Sequence, residues 1–128
     1  MKPAAILVHA LSGAMLAACA TLGFDEEARP GHGAVAFSSS TQEWRIVNNA
    51  GTAAGAERQA QDACGAACAI LVRFGPGECG TLALNALGQH ASAVGQSVET
   101  AEFLAMRRCE STGHPCRVAP AQCNRGAG

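Results

Sequence analysis

TAAGAERQAQDAC, Thr52 to Cys64, returns further along the chain as SVETAEFLAMRRC, Ser97 to Cys109. Five columns agree in register: Thr52 with Ser97, Ala56 with Ala101, Glu57 with Glu102, Ala60 with Ala105 and Cys64 with Cys109. Each copy predicts a helix. Thr52 and Ser97 stand where an N-cap hydroxyl accepts from the first free amides. Ala56 and Ala60, like Ala101 and Ala105, fall four apart on one face, and their small side chains let a helix lie close on a sheet. Alanine is common in this chain, so one shared Ala means little. Five columns in register mark an internal duplication.

Two strand-like runs precede each helix. Gly33-Ala34-Val35-Ala36-Phe37-Ser38 parallels Gly80-Thr81-Leu82-Ala83-Leu84-Asn85, and Glu43 to Val47 parallels the weaker His90 to Val94. Ser38 to Gln42 and Ala86 to Gln89 are turn-length connections, so each pair reads as a hairpin. A further strand follows each helix, over Cys68 to Phe74 and over Cys116 to Ala119, the second broken by Pro120. The unit is ββαβ, twice. The expected fold is α+β: two ββαβ repeats forming one sheet, with both helices packed on one face to bury their small-residue stripes.

These segments carry a resemblance. Gly33 to Ser38, the Ala- and Glu-rich helix ending in Cys64, Cys79-Gly80-Thr81-Leu82-Ala83 and the second helix ending in Cys109 resemble domain of unknown function 4189, a family of exported bacterial proteins. The likeness covers His32 to Cys123. Members of that family usually place an aromatic where this chain has His32, and aromatic residues where it has Gln89 to Ala93. The resemblance brings no catalytic residues with it.

Seven cysteines divide into Cys19 and a set of six: Cys64, Cys68, Cys79, Cys109, Cys116 and Cys123. Six permit many pairings. The duplication narrows them, because Cys64 and Cys109 end matching helices while Cys68 and Cys116 open matching strands. Cys64–Cys68 and Cys109–Cys116 then pin each helix to its following strand, and Cys79–Cys123 remains. Zinc is the sharper alternative, with Cys109, His114 and Cys116 joining Cys64 and Cys68. An even thiol count in an oxidising compartment favours disulfides. A redox-active pair wants a helix N-terminus, and these cysteines sit at helix C-terminal ends.

The compartment is read from the N-terminus. Met1 and Lys2 precede an apolar run from Ala4 to Ala18, short of the about 20 residues that cross a membrane. Leu16-Ala17-Ala18-Cys19 resembles a bacterial lipobox, with residues 1–18 as a lipoprotein-type signal peptide and Cys19 as the lipid acceptor. Ala18-Cys19-Ala20 also satisfies an ordinary small-x-small cleavage site, which would remove Cys19. Residues 19–31, with Asp25-Glu26-Glu27 and Pro30-Gly31, read as a solvated tether. Residues 32–124 form the disulfide-linked domain and 125–128 a disordered tail. Ala20 after the cysteine points to an outer-membrane lipoprotein facing the periplasm, with a soluble periplasmic or secreted form as the alternative.

Composition limits the function further. Beyond the signal, eight Arg (nine Lys+Arg less Lys2) face ten acidic residues, a net charge of −2, with no basic stripe. Nucleic-acid binding needs clustered cations and is not expected. Few aromatics and fewer than about 100 folded residues allow only a thin core, for which cross-links compensate.

Other motifs have plainer readings. Gly75-Pro76-Gly77-Glu78-Cys79-Gly80 matches G-x-G-x-x-G but leads into a strand, not a helix, so it reads as a turn between repeats. Glu57 and Glu102 would make a carboxylate pair, yet their symmetry suggests a repeated structural role. His32, His90 and His114 fall in turn- or edge-like segments. Trp44 and Ile46 share one face of their strand, with Glu43 and Arg45 on the other. Trp44 is either core or, with Arg45, an interface anchor, since Trp is favoured at binding hot spots.

The expected function is therefore non-catalytic, with no cofactor and no metal: an envelope lipoprotein, anchored through Cys19, that binds a periplasmic protein or cell-wall partner and resembles an inhibitor or immunity factor in role. A small envelope hydrolase using Glu57, Glu102 or His90 and a secreted effector are the alternatives.

Overall fold

Small and large residues alternate along the first strand of each repeat. Ala34 and Ala36 point one way and Val35 and Phe37 the other; Ala83 opposes Leu82 and Leu84 in the same manner. Each hairpin therefore has a face fitted to an Ala-lined helix and a second face, larger and oilier, that also needs cover.

The computed structural model describes residues 29–126, so the signal peptide, Cys19 and most of the tether lie outside the described residues. The elements are β1 (His32–Phe37), β2 (Trp44–Ala50), α1 (Ala53–Cys64), β3 (Ala69–Phe74), β4 (Cys79–Asn85), β5 (His90–Gly95), α2 (Val98–Glu110), β6 (Cys116–Val118) and β7 (Gln122–Cys123). Thr52 Oγ1 accepts from Gly55 N at 2.9 Å and Ser97 Oγ from Thr100 N at 3.1 Å, so both helices begin at the hydroxyls that the repeat marks. Their buried residues are Ala56, Ala60 and Cys64 in α1 and Ala101, Ala105 and Cys109 in α2.

The α+β class, the two ββαβ units and three disulfides stand. The single sheet does not. There are two antiparallel sheets, ordered β2-β1-β3 and β5-β4-β6, with β7 also on β4. Nor do the helices share a face. Ala34, Ala36, Ala56, Ala60 and Cys64 form one buried cluster, which places α1 on the first sheet; Ala83, Ala93, Ala105 and Cys109 form another, which places α2 on the second. Between the sheets lies a third cluster with Val35, Phe37, Ile46, Phe74, Leu82 and Ala119. The layers run helix, sheet, sheet, helix. One sheet with both helices on one side would have left the Val35–Phe37 and Leu82–Leu84 faces in water. At about 25 cal/mol per Å² of apolar surface, turning those faces toward each other is the stabilising solution.

The six cysteines of the domain pair as Cys64–Cys68, Cys109–Cys116 and Cys79–Cys123. The first two hold each helix to the strand that follows. The third joins residues directly opposite one another on β4 and β7.

A C-terminal clasp joins the two sheets. Asn48 and Asn49 form a bulge on β2 opposite Gly33, with Asn49 in the left-handed region (φ +57°), which Asn tolerates. Asn49 N donates to Asn124 Oδ1 at 2.8 Å, and Asn49 Oδ1 accepts from Arg125 N at 2.8 Å. Asn124 Nδ2 donates to the carbonyls of Phe74 and Gly75, both at 2.9 Å. Gly31 N and Gly77 N both donate to Arg125 O and Arg125 Nε donates to Arg29 O, so hydrogen bonding runs past the expected domain limits, 32–124, on both sides. Asn124 is buried. Replacing it with Ala strands Asn49 N and two carbonyls; the expected loss is about 2–4 kcal/mol, read as a lower urea midpoint of the oxidised domain.

Candidate functional site

The repeats align strand by strand, and one place breaks their equivalence. In the first sheet Phe37 pairs with Trp44 on one side and Ala69 on the other. In the second, Leu84 pairs with His90 and Arg117. Ala69 and Arg117 are therefore counterparts, as are Trp44 and His90. These positions lie near the hairpin turns, which meet at one end of the sandwich: a Cβ on Gly88 would run into the side chain of Gln42.

Two open sides flank that end. On the β3–β5 side the Phe37 and His90 rings meet, with centroids 4.4 Å apart. On the β2–β6 side a cleft of about 730 Å³ opens, lined by Trp44, Leu84, Pro115, Arg117, Pro120 and their neighbours. The physical cause is Arg117. Register puts it on the same face as Leu84, toward the space between the sheets, whereas Cys116 and Val118 pack with α2. A guanidinium sealed between sheets without a counter-charge would be costly, so the sheets part here and Arg117 stays exposed. Trp44 is half-buried, packed against the inter-sheet core and bordering the cleft.

Arg45 stands beside Trp44 but on the other face of β2, exposed, and its Nη1 donates to the Trp44 carbonyl at 2.7 Å. It does not line the cleft. Arg73 lies on β3, the opposite edge of that sheet, where it forms an ion pair with Glu57.

The remaining sequence candidates fall into structural roles. Glu57 pairs with Arg73, and Glu102 Oε1 accepts from Ala121 N at 3.0 Å, so each glutamate ties its helix to the segment that follows. The helices occupy opposite outer layers, which keeps the two carboxylates apart. With Arg73 66% and Glu57 28% exposed, their ion pair is worth at most about 1 kcal/mol. His90 packs on Phe37, His32 opens β1, and His114 is exposed in the turn before Pro115. The cysteines of the zinc alternative are taken up in disulfides, and among the described residues no group of three His, Cys, Asp or Glu is placed to hold a metal. Gly75 to Cys79 is a turn closed by Gly75 N donating to Glu78 Oε1 at 2.6 Å, and it enters strand β4. Among the described residues no helix is long and apolar enough to cross a membrane.

Of the residues that line the cleft, the sequence pointed to Trp44 and not to Arg117, Leu84, Pro115 or Pro120. A signal was present: Arg117 follows Cys116 as Ala69 follows Cys68, a cation in a column where the first repeat has a small apolar residue.

The fold and its cleft define a class: a disulfide-bonded, duplicated β-sandwich with a helix on each outer face and one open edge. The chain belongs to the family described as domain of unknown function (DUF4189), whose match spans residues 32–123, from the start of β1 to the end of β7. Comparison with curated proteins and with solved structures gives no match.

Proposed function

We propose that the protein is an exported bacterial envelope lipoprotein whose domain acts by binding, holding a periplasmic protein or cell-wall partner in the cleft beside Trp44, as an inhibitor or immunity factor would. The cleft carries this reading. It is concave, mostly apolar, bordered by a half-buried Trp and, at about 730 Å³, of the size that binding sites ordinarily have. The lipobox-like Leu16 to Cys19 supports the address, and three disulfides suit an oxidising compartment. Acylation of Cys19 would anchor the chain without a spanning helix, stable attachment taking more than one acyl chain.

The test is a cross-linked pulldown from native envelopes with the full chain, alongside co-sedimentation with isolated sacculi. A stoichiometric partner is expected, with recovery falling at least about tenfold for Trp44→Ala, the effect of losing a hot-spot aromatic. In the same cells, radiolabelled fatty acid is expected on the wild-type chain and absent from Cys19→Ser. Equal recovery with Trp44→Ala, from a variant that keeps its disulfides, would overturn the role of the cleft.

A further inference from the structure

The cleft has a polar edge as well as an apolar wall. Ala119 N donates to Leu82 O at 3.0 Å, which makes Leu82 and Ala119 a hydrogen-bonded pair of the antiparallel ladder. Such pairs alternate, so Leu84–Arg117 is the next, and Ala83–Val118 and Asn85–Cys116 are not. The backbone N–H and C=O groups of Cys116 and Val118 therefore point away from β4. Among the described residues no strand pairs with that side of β6. Pro115 and Pro120 bound the free edge, limiting it to three residues. Across the opening, the free edge of β2 is treated differently: the Trp44 carbonyl is already covered by the Arg45 guanidinium.

Arg117 supplies the third feature. It faces the cleft, and among the described residues no acidic side chain pairs with it. The duplicated position, Ala69, carries no charge. A cation has thus been set at the one inward position of a strand that is short, open and bordered by Trp44 and Leu84.

Together these features fit one kind of occupant. We propose that the cleft is a strand-addition site for an extended acidic–apolar peptide. This deepens the binding reading above and rests on it. The peptide backbone pairs with Cys116 and Val118 on the free edge of β6. One apolar side chain enters the space beside Trp44 and Leu84, and a carboxylate of the same segment meets Arg117. Main-chain pairing supplies affinity and the alternating side chains supply selectivity, as in other strand additions. The proline borders imply a short motif, with about three residues in register.

The probe is a fluorescein-labelled heptapeptide pool alternating Val or Phe with Glu, compared with the same pool carrying Lys for Glu, measured by anisotropy on the full oxidised chain. The Glu pool is expected to bind and the Lys pool to bind at least about tenfold more weakly. Arg117→Glu is expected to reverse that order. Because Arg117 is exposed, this variant keeps the fold, which circular dichroism and the absence of free thiols check. N-methylation of alternate peptide amides is expected to abolish binding in one register and spare it in the other, an outcome that simple charge attraction does not produce. Binding of neither pool, while an envelope partner is still captured in a Trp44-dependent way, would overturn the strand-addition proposal and leave the broader binding role standing. Trp44-dependent binding of soluble glycan fragments, indifferent to Arg117→Glu, would do the same. Absence of both peptide binding and any Trp44-dependent partner would sink both.

Discussion

Reduction of the oxidised domain by dithiothreitol at neutral pH is expected to unfold it. The Cys79–Cys123 bridge closes a separation of 44 residues, Cys109–Cys116 one of 7 and Cys64–Cys68 one of 4. Chain-entropy arguments assign about 4 kcal/mol to the long bridge and about 2 kcal/mol to each short one. Their sum approaches the whole stability of a small domain, about 5–15 kcal/mol. The interior explains the dependence: both helix-facing layers are built largely from alanine, which contributes little burial per residue. Replacing Cys79 and Cys123 together by Ser is expected to cost the most, because that bridge also secures the strand leading to Asn124 and the clasp. Far-UV circular dichroism against urea, with and without reductant, measures each contribution. A reduced domain with an unchanged midpoint would show that the layers hold without sulfur.

Phe74→Ala is expected to destabilise the oxidised domain by about 3–5 kcal/mol, the range for an aromatic truncated in a packed core. Phe74 ends β3 and is almost wholly buried, within the cluster between the sheets. Its ring rests on two glycines that the duplication makes equivalent. A Cβ added to Gly33 or to Gly80 would come within 3 Å of ring atoms of Phe74. Gly33 belongs to the first sheet and Gly80 to the second, so one ring fills the space that two missing side chains leave and joins the repeats there. Gly80→Ala alone is expected to cost about 1–3 kcal/mol through overpacking. Combined with Phe74→Leu, which vacates part of the ring volume, it should cost measurably less than the sum, with a coupling of about 1 kcal/mol or more. Strict additivity in that cycle would mean that the ring does not rest on Gly80.

The two effects explain how a chain with so few large residues holds four layers. At one end of the sandwich Phe74 and the Asn49–Asn124–Arg125 hydrogen bonds join the sheets, and the Cys79–Cys123 bridge, within the second sheet, holds β7 in place for them. At the other end the hairpin turns touch, but only the β3–β5 side is filled, by Phe37 and His90. The β2–β6 side stays open at Arg117. Arg117 is exposed, so substitution there tests binding without first testing folding, whereas Trp44 packs on the inter-sheet core and its variants are read alongside their urea midpoint.

Local features were legible in the residues themselves. Helix starts at Thr52 and Ser97, the buried Ala stripes, the hairpins and the two short cysteine pairs all follow from interactions within about a dozen positions or from copying one repeat onto the other, and Cys79–Cys123 is the pair they leave. Near-neighbour chemistry decides them: a hydroxyl capping a free amide, a four-residue spacing on a helix, a thiol at a helix end beside the next strand. The sheet count and the placement of the helices were not legible in that way. The alternation of Ala with Val, Phe and Leu was visible, but nothing local says whether the larger face meets water, a partner or its own duplicate. Only the tertiary structure decided that the two oily faces meet each other. In doing so it set Glu57 and Glu102 in opposite layers, drew Asn124 into a clasp far from its sequence neighbours, and brought Trp44 and Arg117 to one cleft. Burial of apolar surface is indifferent to distance along the chain, and that is why these placements had to wait for the fold.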